Sequence, residues 1–351
     1  MRPGQLKLLI VLAAALSMPF YPGAVRAEPQ QPGQNPAAVD QEQEYSEEEY
    51  DAYEKAKDEK DPAKKADALI AFMEKYPKSK LQQYIVAEYQ NLAYGFRTNK
   101  QYDLLLGLSE RWLKFFPEDL QTWAYALESA SQLGNTQKRV EYAQKIYAMK
   151  PTGALAFEIA EAYKKAGNEA AYLEWLHKVM EYPEYAGDFK LRLDLAQKYA
   201  SEKNLTKAAE YSQLALKSLD AAKKPDGMPD AEWQKATRAV RRACHWLLGL
   251  NYYEAKKYPQ AVDAFNEALK AEVFDAAFYY MGLSQWKMDQ IDEAAISFGA
   301  AELLKGEHQT QAREYLEKLY KALHNNTTVG IDKVYKKAQA LLDAKRAAVR
   351  G

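Results

Sequence analysis

Apolar side chains fall into three regimes along this chain. From Leu8 to Met18 they form an uncharged run, preceded by Arg2 and Lys7 and followed by the helix breakers Pro19, Pro22 and Gly23. From Glu28 to about Tyr45 they almost vanish, in a Gln- and Pro-rich stretch without a basic residue. Beyond Ser46 they return with helical spacing, and strand-like alternation is absent. Ser46 stands three residues before Glu49, the capping-box spacing, which starts the first helix there. The clearest self-match in the helical part aligns two segments 33 residues apart. Gly249 pairs with Gly282, Ala261 with Ala294, Phe265 with Phe298 and Ala268 with Ala301. Gly-x-x-Tyr followed by Ala-x-x-x-Phe-x-x-Ala predicts a helix-turn-helix unit: a small residue lets the helices close up, and a phenylalanine fills the gap to the next hairpin.

These residues resemble the tetratricopeptide-repeat (TPR) family, whose unit carries glycine, tyrosine, alanine, an aromatic and alanine at the same offsets. The second segment departs from it at Gln285, where an aromatic is usual, and Val273 and Gly306 replace the proline that closes a unit. Upstream that proline recurs as Pro77, Pro117, Pro151 and Pro183, at intervals of 40, 34 and 32. Trp123, Ala130 and Gly134, then Ala160, Tyr163 and Gly167, then Tyr199, Ala208 and Ala215 mark the units between. The resemblance implies an all-α, right-handed α-solenoid of about seven TPR-like repeats over 46–308, with C-terminal capping helices in 309–351. The phrases FMEKYPKS, FFPED and MEYPEY are similar to units of exported bacterial TPR proteins from outer-membrane assembly systems, which implies compartment more than function. The rhythm breaks at residues 220–230, after which a helix capped near Asp230 is expected to run through Trp233 and Trp246 to about Ala255. Further helices are expected from about Gln309 to Leu323 and from Ile331 to Ala347, around the separator HNNTTVG.

The N-terminal pattern sets the expected compartment. A basic start, a short apolar core and small residues at Val25 and Ala27 read as a cleavable signal peptide over 1–27, with an uncleaved anchor as the alternative. Residues 28–45 then form an acidic, disordered tether, and the periplasm or cell envelope is the expected location. Cleavage removes three basic residues and no acid, taking the formal charge from −1 to about −4. Such a surface offers no electrostatic reason to bind nucleic acid. Cys244 is the only cysteine, so no internal disulfide forms and helix packing carries the stability.

No phosphate loop or nucleophile elbow occurs. His177, His245, His308 and His324 are scattered without a metal-binding pair, so no catalytic residue, metal or cofactor is expected. Cys244 and His245 are adjacent, but helical neighbours diverge by roughly 100 degrees, and a buried structural thiol is favoured. In the TPR family the first helix of each pair lines the inside of the superhelix. The residues at its inward positions here are Trp246, Leu250 and Tyr253, then Tyr279, Leu283 and Trp286, all large and apolar or aromatic. They would bind a partner segment in a groove, unless the capping helices or neighbouring turns fill it. Their upstream counterparts, such as Gln121, Ala124 and Glu128, are smaller or more polar. A second candidate is the basic stripe Lys235, Arg238, Arg242 and His245, for an anionic partner. The function implied is a non-catalytic scaffold of the cell envelope that binds other proteins. The alternative is an accessory or regulatory subunit docking a partner enzyme through the basic helix.

Overall fold

A computed structural model of the chain describes residues 45–350. The expected signal peptide and nearly all of the tether lie outside the described residues. Every regular element among the described residues is an α-helix, and they divide into two compact units, 45–179 and 180–350.

The first unit holds the pairs α1 (Glu47–Asp58) with α2 (Pro62–Lys75), α3 (Gln82–Thr98) with α4 (Tyr102–Trp112), α5 (Leu120–Gln132) with α6 (Thr136–Met149), and α7 (Gly153–Lys165) with α8 (Glu169–Met180). The capping box forms as the spacing predicts: Ser46 Oγ accepts from the Glu49 amide at 3.2 Å, and the Glu49 carboxylate accepts from the Ser46 amide at 3.0 Å. Pro77, Pro117 and Pro151 each follow the second helix of a pair, where a residue without an amide hydrogen cannot continue the helix. Large aromatics pack both within a pair and between successive pairs. Tyr89 of α3 lies flat on Trp112 of α4, ring centres 3.9 Å apart, and Trp175 of α8 meets Tyr147 of α6 edge-on at 5.0 Å.

The second unit opens with the short α9 (Pro183–Ala186) and pairs α10 (Phe189–Ser201) with α11 (Leu205–Ala221). It continues with α12 (Asp230–Glu254) and α13 (Tyr258–Ala271), then α14 (Asp275–Lys287) and α15 (Ile291–Leu303). The seven pairs are those the repeat pattern predicts, and α16 (Gln309–Leu323) and α17 (Asp332–Arg350) follow as the closing helices. The long helix begins one residue differently from the sequence expectation. Pro229 occupies the cap position without a side-chain hydrogen bond, and Asp230 is the first helical residue.

One turn geometry is reused from the second pair to the seventh. Lys100, Gly134, Gly167, Lys203, Lys256 and Asp289, each between the two helices of its pair, all have positive φ, between 57° and 72°. The next residue sends its amide back to a carbonyl five positions earlier: Gln101 to Phe96, Asn135 to Ala130, Asn168 to Tyr163, Asn204 to Tyr199, Lys257 to Tyr252 and Gln290 to Gln285, at 2.8–3.0 Å. This is a Schellman closure, which satisfies carbonyls at the end of one helix and aims the chain into the next. Only two of the six left-handed positions are glycine, so four units hold a side chain where L-residues are disfavoured.

Inside the pairs the close approach is literal. A Cβ on Gly249 would sit 2.4 Å from the Phe265 ring, and one on Gly282 would sit 2.9 Å from the Phe298 ring. Both rings are fully buried, with no room to retreat. The departures from the repeat pattern have local reasons. Gln285 accepts a hydrogen bond from Ser297 across its pair at 2.6 Å, work an aromatic cannot do. Gly306 leaves room for the Asp275 carboxylate, which a Cβ there would overlap at 2.2 Å. That carboxylate accepts the His308 amide at 2.8 Å, holding the turn into α16.

Two outcomes follow from this packing. Gly249→Ala lowers stability by about 1–3 kcal/mol through overpacking, although alanine raises helix propensity by about 1 kcal/mol, and Gly282→Ala costs less; urea titration reads both. At Lys256, a glycine matches or exceeds the wild-type melting temperature, while a valine loses about 1–2 kcal/mol because its branched Cβ disfavours positive φ.

Candidate functional site

The six predicted groove residues come together in the second unit, on the first helices of its last two full pairs. Trp246 of α12 meets Phe265 at 5.5 Å, Phe274 at 5.5 Å and Tyr280 at 5.6 Å, measured between ring centres. Tyr253, two turns further along α12, approaches the same Tyr280 edge-on at 5.3 Å, and Leu250 between them packs on the shared core. On α14, Tyr279 touches Tyr280 at 5.5 Å, Phe298 at 6.0 Å and Tyr315 of α16 at 6.1 Å. Trp286 meets Tyr315 edge-on at 5.5 Å, with the Lys318 ammonium 5.6 Å from its ring. Leu283 is buried and serves the core, whereas the other five remain half-buried.

The four aromatic members, Trp246, Tyr253, Tyr279 and Trp286, therefore belong to one row whose links are Tyr280 and Tyr315. Sequence reasoning missed both: Tyr280 follows an inward position by one residue, and Tyr315 lies on a helix read only as a cap. Helix α16 thus contributes to the row as well as covering the end of the core. His308, at its start, places its ring 4.8 Å from Tyr279 and its Nδ1 3.3 Å from the Asp275 carboxylate. Burial, with Tyr315 and Tyr280 nearby, pushes the Tyr279 hydroxyl up to about 12, and burial also raises those of Tyr253 and Tyr280. The hydroxyls stay protonated through the neutral range, so this row is uncharged and can donate hydrogen bonds.

The basic stripe is largely occupied within the chain. Arg238 donates to the Val349 carbonyl of α17 at 2.9 Å. Arg242 pairs with Glu272 at 2.9 Å and lies over the Phe274 ring at 4.4 Å. Beside them Arg241 pairs with Asp220 at 2.7 Å. His245 is half-buried and burial lowers its pKa, which favours the neutral ring, while Lys235 is exposed. Cys244, next to His245, is buried among Phe189, Ala215, Leu219 and Val240. Burial pushes its thiol up to about 12, with Ser212 opposing. Among the described residues no three His, Cys, Asp or Glu side chains are placed to hold a metal, and no helix is long and apolar enough to cross a membrane.

No protein-family model and no curated protein matches the chain. Solved structures are similar at low identity. MamA protein shares 16% identity over 53% of this chain and 91% of its own, with a TM-score of 0.35. A tetratricopeptide repeat protein from Parabacteroides merdae shares 16% over 78% and 99%, with a TM-score of 0.30. The structure of Naa15/Naa10 bound to HypK-THB shares 15% over 86% of this chain and 43% of that one, with a TM-score of 0.47. At these values none carries a function across. The TPR-type pairing is visible in the chain's own helices.

The thiol's surroundings set an expected outcome. Cys244 in the native protein does not react with a disulfide reagent at pH 8, and reacts fully once the chain is unfolded in guanidinium. Because its folded pKa lies above the unfolded value of about 8.5, its contribution to stability is intact below that pH and is lost as pH rises towards the folded value.

Proposed function

We propose that the chain is a non-catalytic, protein-binding scaffold exported to the bacterial cell envelope, and that it holds a partner segment on the aromatic row of the second unit. The carrying observation is the row itself. Trp246, Tyr253, Tyr279 and Trp286, joined through Tyr280 and Tyr315, keep part of their surface open although all pack on one buried core. Half-exposed aromatics on a rigid helical support make good anchors, because they offer large contact area with little side-chain freedom left to lose on binding. Their spacing of about two turns along each helix suits an amphipathic helix or an extended apolar segment. The envelope location rests on the N-terminal pattern of basic start, short apolar run and small residues before the cut. The accessory-subunit reading is disfavoured because Arg238 and Arg242, which it needs free, are engaged with Val349 and with Glu272 and Phe274.

The test is recovery of partners from an envelope extract by the chain from Glu28 to Gly351, beside its Trp246→Ala/Trp286→Ala variant. Partners recovered by the wild type are lost by the variant if the row binds them. Since Trp246 also touches Phe265, a Trp286→Ala single variant is run in parallel, with circular dichroism to check folding. Equal recovery by folded variants removes the row as the site. Recovery that instead falls with Arg238→Glu/Arg242→Glu assigns docking to the long helix.

A further inference from the structure

The geometry points to a second docking site, separate from the aromatic row: a cleft between α15, α16 and α17 that takes an apolar side chain of a partner protein together with acidic residues next to it. The cleft holds a cavity of about 160 Å³ that is partly open to solvent. Its apolar lining is Ile291, Ala295 and Ile296 of α15, Leu319 of α16 and Val334 of α17, with Leu323 at the edge. That volume is close to the roughly 150 Å³ of an engineered apolar cavity that accepts benzene, so one large side chain fits.

The walls are built rather than incidental. The loop between α16 and α17 contains two asparagines in the left-handed region, Asn325 and Asn326, and Gly330 at φ 91°. The Tyr320 hydroxyl donates to the Val329 carbonyl at 2.9 Å, and a Cβ on Gly330 would approach that hydroxyl to 2.8 Å. His324 stacks on Tyr320 at 3.9 Å, closing the α16 side. Two apolar side chains are left exposed beside it: Leu323, at the end of α16, is 58% exposed and Val329, in the loop, 80%. Apolar surface therefore continues from the cleft onto its rim, which suits a protein segment better than a small molecule confined to the cavity.

Charge decides the partner. Lys333 and Lys337 line the cleft one helical turn apart, both exposed, and neither has a carboxylate partner among the described residues. Lys336 beside them faces Asp332 at 3.8 Å. The one acid on the opposite wall is Asp292, in the first turn of α15, where a helix N-terminus stabilises negative charge. The cleft is thus apolar at its base with two unmatched positive charges on one side, and carboxylates beside an apolar anchor complement it. Among the described residues, the parts of a second copy away from the cleft are a poor source. Of the exposed large apolar residues, the three away from this cleft, Tyr94, Leu133 and Met149, have no acid within three residues in sequence.

The test titrates the full chain into fluorescein-labelled peptides of Gly/Ser background carrying Leu-Glu-Glu, Ala-Glu-Glu or Leu-Lys-Lys, read by fluorescence anisotropy at low salt. The Leu-Glu-Glu peptide binds with a Kd below about 1 mM, and the other two bind at least about tenfold more weakly. Lys333→Glu/Lys337→Glu, which alters exposed side chains only, loses Leu-Glu-Glu by a similar factor with an unchanged melting temperature. Ala295→Leu, which fills the cavity, is the second variant and loses it too. The inference is overturned by failure of Leu-Glu-Glu to bind at about 1 mM, by equal binding of the three peptides, or by undiminished binding to the charge-reversed variant. It is also overturned, in favour of a contact between copies, if light scattering shows self-association that the charge reversal abolishes.

Discussion

From the second helix pair to the seventh, the fold depends on one residue in each pair taking up a left-handed backbone. From Lys100 to Asp289 that single step ends the first helix, satisfies its last carbonyls and starts the second helix at a fixed angle. Because the angle is fixed, the second helix returns in the register that puts Phe265 under Gly249 and Phe298 under Gly282. The contact between helices is then close enough to exclude any side chain at the crossing, and burial of the phenylalanine rings supplies the cohesion. Where the turn carries lysine instead of glycine, packing must offset a local backbone penalty on the order of 1–2 kcal/mol.

The aromatic row is a consequence of that register. With α12 and α14 set side by side, residues at corresponding heights on the two helices become neighbours, and Trp246 and Tyr253 both reach Tyr280. The row ends in Tyr315 because α16 follows α15 through a turn fixed by Asp275 and the His308 amide. The candidate binding surface is therefore made from the same contacts that stabilise the second unit. A partner would meet a surface already ordered, which lowers the conformational entropy lost on association.

Much of the architecture was legible in the sequence because its signals are local. Ser46 and Glu49, the proline series and the match of Gly249 with Gly282 each state a backbone requirement within a few residues, and the structure meets them. The four left-handed residues inside the helix pairs that are not glycine were not legible, since lysine and aspartate carry no steric signature of that conformation. The row was legible in part. The inward positions of the repeat that the chain resembles located Trp246, Tyr253, Tyr279 and Trp286, but the links through Tyr280 and Tyr315 depend on how neighbouring helices lie, which periodicity within one helix does not encode. The basic stripe misled for the same reason: Arg238 and Arg242 share a helical face, and only the fold shows that a distant carbonyl and a ring occupy them.

The hydrogen bond from Arg238 to Val349 has a kinetic meaning. It joins positions 111 apart in sequence, while the contacts between successive helices span a few tens at most. Local contacts form early because short loops close at small entropic expense, whereas a long-range one waits until the intervening segments are in place. The second unit should therefore assemble by neighbour-to-neighbour growth and finish with a late clasp, made when α17 arrives across α13 and α15. Until then the repeats from α12 onward form an open array, and the clasp turns that array into a closed cooperative unit.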